Sequence, residues 1–212
     1  MTTHPRATQR ADAPAFAATE RVLSMADVRR IEATPLDQAL TVRSTYEIFR
    51  NSAHAFGDKT ALTFLRTADP ADAPIRWSYR QLLAGIHQTA NALHALGVGP
   101  TDAVAVMLPG CLEYHLALWG GEAAGIVQPL NPLLTDDKLA SLLNAAGAKV
   151  LIAWGDDAES GIWSKALHLR TQVPTLTHVL RVAPLDEAPP PALPEGVLDF
   201  AATIAAQPDT HL

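Results

Sequence analysis

A single cysteine, no apolar run of membrane length and no cluster of Lys or Arg set the first limits on this 212-residue chain. Cys111 has no second cysteine to pair with, so an internal disulfide and a cysteine-based metal cluster are excluded, and a reducing cytoplasm is the expected location. No stretch approaches the ~18 apolar residues of a membrane helix, and Met1 to Glu20 is polar and Ala/Thr-rich without the apolar centre of a leader. Neither insertion nor export is expected. The formal charge of −6 is spread along the whole length, which argues against a nucleic-acid or anionic-membrane surface. Also missing is a phosphate-cradling loop, in which glycine amides converge on the anion beside a Lys. Gly120, Gly121 and Gly125 lie within or at the end of a helical pattern, where they read as close packing, and Gly97-Val98-Gly99 follows a helix instead of a strand.

What is present is a clear alternation of helix and strand between Trp77 and Trp154. Ser78 with Gln81 is a capping box that opens a helix over Leu82, Leu83, Ile86, Ala90 and Leu93, and Gly97 is placed for a left-handed stop. Ala103 to Leu108 is a short continuous apolar run, the pattern of a strand buried on both faces. Pro109-Gly110 breaks it. A helix over Leu112 to Ala124, capped by Gly125, leads to a strand at Ile126 to Pro129. Thr135 opens another helix over Leu139, Leu142 and Leu143 that Gly147 closes before a strand at Val150 to Ala153. Short strands separated by helices of this length predict parallel pairing through right-handed crossovers.

On either side the signals thin out. Residues 1–35 read as a flexible extension in which Ser24 caps a short helix through Arg30. Ser44 with Glu47 makes a second capping box for a helix to Gly57, and Ala61 to Leu65 and Ile75 to Trp77 read as two strands around Pro70 and Pro74. Residues 36–182 are taken as the α/β body, with Ser160 to Gln172 a helix and His178 to Val182 a further strand. Residues 183–212 are taken as a connector, stiffened by Pro184, Pro189, Pro190, Pro191 and Pro194, and a short helix from Phe200 to Ala206.

Chemistry-bearing residues are sparse. Cys111 follows a strand and a tight turn at a helix start, with His115 one turn on, the outline of a nucleophile elbow. The second small residue of that elbow and an acid to orient His115 are both missing, so Cys111 is expected to be structural. His87 and His94 share a helix but stand two turns, about 10 Å, apart, too far for one metal, and are expected at the surface or its boundary. Asp136-Asp137 and Asp156-Asp157 sit at helix starts, where negative charge is favoured without any ligand. Trp77, Trp119, Trp154 and Trp163 are expected to pack in or beside the core.

The run Trp77-Ser78-Tyr79-Arg80-Gln81-Leu82, then Leu96-Gly97-Val98 and Asp102 to Pro109, resembles the opening of the adenylate-forming superfamily. The likeness continues through Ala123-Ala124-Gly125-Ile126-Val127-Gln128-Pro129-Leu130-Asn131-Pro132 and Ala146-Gly147-Ala148-Lys149-Val150-Leu151-Ile152. It covers about residues 42 to 182 in order; Thr101 departs from the Gly common in that family. The resemblance implies a three-layer α/β unit with a mainly parallel sheet, and a parent enzyme that uses ATP and Mg to activate a small carboxylic acid before transfer to CoA. It also implies a phosphate loop, a Thr-Glu pair, a ribose-binding Asp and a distal Lys, expected to follow beyond Leu212. No catalytic, cofactor or metal residue can therefore be carried onto this chain. The expectation is an amino-terminal portion of an AMP-forming acyl-CoA synthetase, inactive alone, whose partner is the remainder of a synthetase or a full-length relative. The alternatives are a non-catalytic interaction module on the same scaffold and a Cys111-His115 hydrolase.

Overall fold

The computed structural model describes residues 21–40, 42–69, 71–155, 160–184 and 192–212. Along the chain the elements are α1 (Met25–Glu32), α2 (Leu36–Ala39), α3 (Thr45–Phe56), β1 (Thr60–Phe64), β2 (Ile75–Ser78), α4 (Tyr79–Ala95), β3 (Ala103–Met107), α5 (Leu112–Ala124), β4 (Ile126–Pro129), α6 (Asp136–Ala146), β5 (Ala148–Trp154), α7 (Ile162–Gln172), β6 (His178–Val182), β7 (Val197–Asp199) and α8 (Phe200–Ala205). Five strands form one sheet in the order β4-β3-β5-β6-β7, with every neighbouring pair parallel. β1 and β2 make a separate antiparallel hairpin, with Phe64 opposite Ile75.

The missing alternation in the strands has a direct cause. Val104, Val106, Val150, Ile152, Leu180 and Val182 pack in a core under α4, α5 and α8, while Ala103, Ala105, Met107, Leu151, Ala153 and Val179 pack in a second core under α6 and α7. Both faces are covered, so this is a three-layer α/β unit. Each fully buried aliphatic side chain contributes roughly 1.5–3 kcal/mol, more than any single cap, so the two cores and not the helix ends decide the fold. Within α6, Leu139 and Leu143 are fully buried whereas Leu142 lies on the outer face.

The helix on helix seam of the first core needs glycine. A Cβ on Gly120 would stand 2.5 Å from Thr89 Cβ and 3.2 Å from Ile86 O, and one on Gly121 would meet Val127 at 2.4 Å. Gly85 is similarly close to Leu116. These glycines are packing residues, which is what their position inside a helical pattern predicts.

The amino end of the sheet is tied by Asp102. Its Oδ2 accepts from Gly99 N–H at 2.7 Å and from Lys149 Nζ at 3.0 Å, and its carbonyl accepts from Ile126 N–H at 2.9 Å. Lys149 also donates to Gly97 O. The Gly99 amide, then Lys149, holds the Asp102 carboxyl below its ordinary value of 3.8.

Caps form largely as their residues require. Ser78 and Gln81 make both bonds of a capping box, and so do Ser24 and Asp27. Gly97 and Gly147 have φ of 81° and 61°, in the left-handed region. At α3 the expected box is incomplete: Ser44 Oγ accepts from Glu47 N–H, but Glu47 reaches one residue further back, to Arg43 N–H at 2.7 Å.

Two further expectations are corrected, and one element was not foreseen. Val197–Asp199, read as part of a connector, is the fifth strand of the sheet, and Phe200 in the following helix is fully buried against it. A three-residue strand between Gly196 and a helix cap is too short to show a period. The turn of helix at Leu36–Ala39 gave no capping signal and was not expected. His87 is not a surface side chain but 5% exposed, whereas His94 is exposed. Pro70, Pro189, Pro190, Pro191, Asp156, Asp157 and residues 1–20 lie outside the described residues.

Two outcomes test this architecture. Gly120→Val forces a branched side chain against Thr89 and the Ile86 carbonyl, and a urea melt should show a loss of about 1–3 kcal/mol. Asp102→Asn should lower the melting temperature at neutral pH. Because the folded-state pKa is depressed, this contribution is complete above the unfolded value and lost as pH falls through the folded one, so the gap between wild type and variant should close below about pH 4.

Candidate functional site

The strand order locates the site. From β3 the chain moves outward to β4 and then returns across β3 to β5, so the winding reverses between β3 and β5. In open parallel sheets the crevice at the carboxyl ends of the strands beside such a reversal is where ligands bind. A cleft of about 320 Å³ lies there, lined by Pro109, Gly110 and Cys111 after β3, by Trp154 at the end of β5, and by Phe64, Arg66 and Thr67 of the hairpin. Pro109-Gly110 ends the buried strand abruptly, and the hairpin folds over the break. The signal for the cleft was present in that break; the contribution of Phe64, Arg66 and Thr67 was not, because it depends on how a separate sheet docks.

The lining is mostly apolar. Thr67 is spoken for, its hydroxyl donating to Asp72 at 2.6 Å and accepting from Asp69 N–H at 3.0 Å. Trp154 is half-buried and belongs to both cores. Nearby, at the ends of β5 and β6, buried Arg181 donates from Nε to Gly155 O at 2.8 Å and stacks its guanidinium over Trp163 at 5.7 Å. These contacts close the sheet end beside the cleft.

Cys111 is the N-cap residue of α5, as its placement after the turn requires, but its side chain makes no capping bond. Burial, and then the Glu113 carboxylate, push its thiol up to about 12. This outweighs the helix dipole, which would have favoured the thiolate. His115 does not assist it. No hydrogen bond joins the two among the described residues, burial lowers the His115 pKa, and its ring lies edge-on to Tyr114 with centroids 6.4 Å apart. A protonated thiol without a base is no nucleophile, so the hydrolase reading fails here.

The other candidates separate in the same way. Asp136 and Asp137 fill the first turn of α6, where the helix dipole accounts for them. Among the described residues, no three His, Cys, Asp or Glu gather as a metal site would need. Trp77, Trp119 and Trp163 are each half-buried at the edge of a core. The loop Asn131–Leu134 is held by Lys165, whose ammonium donates to Pro132 O at 2.7 Å and Leu134 O at 2.9 Å, a structural use of a lysine. What the cleft can do chemically is accept an apolar group.

The family model for the AMP-binding enzyme matches residues 49–209, from α3 through α8 and across the whole sheet. The chain belongs to the AMP-binding enzyme family. It is 25% identical over 170 residues to the marinolic acid–CoA ligase of a Pseudoalteromonas species, covering 80% of this chain and 26% of that one. It is 31% identical over 108 residues to the crotonobetaine/carnitine–CoA ligase of Salmonella paratyphi A, covering 50% of this chain and 20% of that one. Among solved structures it shares its fold with the anthranilate CoA ligase in complex with anthranoyl-AMP, at a TM-score of 0.64 and 24% identity over 84% of this chain and 30% of that one. The acetoacetyl-CoA synthetase of Streptomyces lividans gives 0.63 at 23% identity over 76% of this chain and 25% of that one. The chain thus spans about a quarter of the length of the ligases it matches, and it corresponds to their amino-terminal part.

Folded Cys111 should resist alkylation at pH 8, where a group titrating near 12 is thiolate in roughly one molecule in ten thousand, and should label rapidly in denaturant. Fast labelling of the folded chain that His115→Ala abolishes would restore a catalytic thiol.

Proposed function

We propose that these residues are the amino-terminal scaffold of an AMP-forming acid–CoA ligase, an enzyme that joins a small carboxylic acid to ATP as an acyl-adenylate and then passes the acyl group to CoA. The observation that carries this reading is the family match over residues 49–209, which takes in the antiparallel hairpin and all five strands of the parallel sheet. In this reading the chain contributes a rigid wall, the cleft beside β3 and β5, and no catalytic group.

The residues lining the cleft do not fit a magnesium triphosphate. Their charged and polar side chains are one arginine, a hydroxyl already bonded and a thiol held in its protonated form, with no lysine among them to meet the charge of such an anion. ATP, Mg and CoA are therefore assigned to other parts of the parent ligase. The partner in this reading is the rest of such an enzyme, supplied in the same or another polypeptide. The cytoplasm, where a lone thiol stays reduced, is its place.

An interaction module on the same scaffold is the second reading. It draws on α1, which has no buried residue and leaves Met25 and Ile31 at 65% and 45% exposure. The two readings are separated by function. The 212-residue chain alone should show no carboxylate-dependent exchange of labelled pyrophosphate into ATP above a blank, and co-expression with the remainder of a related ligase should restore it. Exchange by the chain alone would overturn the scaffold reading. Failure of complementation by several related remainders would favour the module.

A further inference from the structure

Residues 207–211 run along α4 as a strap with little apolar to hold it. Pro208, Asp209, Thr210 and His211 are all exposed, and Gln207 is only half-buried. The strap is fastened by its carbonyls. Asn91 Nδ2 donates to Pro208 O at 3.1 Å and to His211 O at 2.8 Å, which uses both of its hydrogens. His87 Nδ1 stands 2.8 Å from Asp209 O, and Gln88 Nε2 reaches Gln207 O at a longer 3.4 Å. His87 and Asn91 are four residues apart, so they share one face of α4.

The bond to Asp209 places a proton on Nδ1 of the His87 ring. A carbonyl only accepts, so Nδ1 carries the proton, and in the neutral ring Nε2 is then an acceptor. Tyr46 Oη stands 3.0 Å from Nε2 and is the donor to it in that form of the ring. The imidazole is therefore a pin through three segments: α3 on one nitrogen, the strap on the other, and its own helix behind it. Its burial means that both bonds must be made, since an unmet ring nitrogen here would be costly.

We propose that His87, Gln88 and Asn91 form a sequence-blind clamp that sets the path of residues 207–211, with His87 as the positioning residue that couples the strap to α3. The clamp reads backbone, so the strap's own side chains are free to change while its course is kept. It fixes the point and direction from which anything joined at Leu212 sets out. This holds independently of the ligase reading.

The test uses the full chain and three readouts. Backbone order parameters for residues 208–211 should be near the rigid value of about 0.85 in wild type and fall below about 0.6 in Asn91→Ala and in His87→Gln. Carboxypeptidase should release Leu212 and His211 faster from the same two variants. His87→Asn, whose amide can take the place of Nδ1–H, should keep the strap ordered while freeing Tyr46. Gln207→Ala and Asp209→Ala should leave the strap as it is. Nitrogen NMR of the wild-type ring should show the Nδ1–H form, a readout that needs no variant. A strap that stays rigid in Asn91→Ala and His87→Gln, a loss in Asp209→Ala equal to theirs, or a ring without a proton on Nδ1 would each overturn the clamp.

Discussion

The contacts of Asp102 are the constraint on which the sheet's geometry rests. Through one carboxylate oxygen and one carbonyl it fixes the turn after α4, the lysine that opens β5 and the first amide of β4, all at the amino edge of β3. The arrangement leaves no room for a side chain at Gly125, whose Cβ would lie 2.6 Å from Asp102 O and 2.9 Å from Gly99 O. Four stretches that look like separate motifs in the sequence, around Gly97, Asp102, Gly125 and Lys149, are thus one structural knot. They lie at the end of the sheet remote from the cleft. That placement explains how so specific a family pattern can be silent about chemistry: the pattern records how the strands are started, and ligands are met where strands finish.

Above this knot the layers are set by size. Strand β3 offers Val104 and Val106 to the α4 and α5 side and Ala103, Ala105 and Met107 to the α6 side. On the first side two helices also pack closely on each other, through glycines at positions 85 and 120, and Thr89 fills the space a larger residue at Gly120 would contest. Thr89 is fully buried, its hydroxyl bonded to Gly85 O at 2.8 Å, so a polar residue is accommodated in the seam. The carboxyl end, by contrast, is assembled from residues of three origins: a strand end, a turn and a hairpin of a different sheet.

This contrast also explains what could be read in advance. Long elements opened by Ser or Thr and closed by glycine, such as Tyr79–Ala95 and Asp136–Ala146, declare themselves locally, and the continuous apolar run at Ala103–Met107 states that both faces are covered. The strand at Val197–Asp199 was hidden because three residues carry no period and its reason to exist is a neighbour, β6, that the local sequence does not mention. His87 was misplaced for a related reason. On a helical projection it borders the apolar stripe, and in the fold residues 207–211 return to it and Tyr46 approaches it. The cleft was half legible, in the Pro109-Gly110 break, and half not, since Phe64 and Arg66 reach it from a hairpin more than forty residues away.

The strand order also has a meaning for how the chain is made. Once β3 and β4 have paired, β5 joins the free side of β3, and each later strand then joins the edge left by the one before: β6 beside β5, β7 beside β6. A polypeptide emerging amino end first therefore adds each strand from β5 onward at the same margin, and never at a gap that must reopen to admit a latecomer. Among the described residues the last strand to join is β7, Val197–Asp199, only three residues long and so a short edge to offer a stranger's strand.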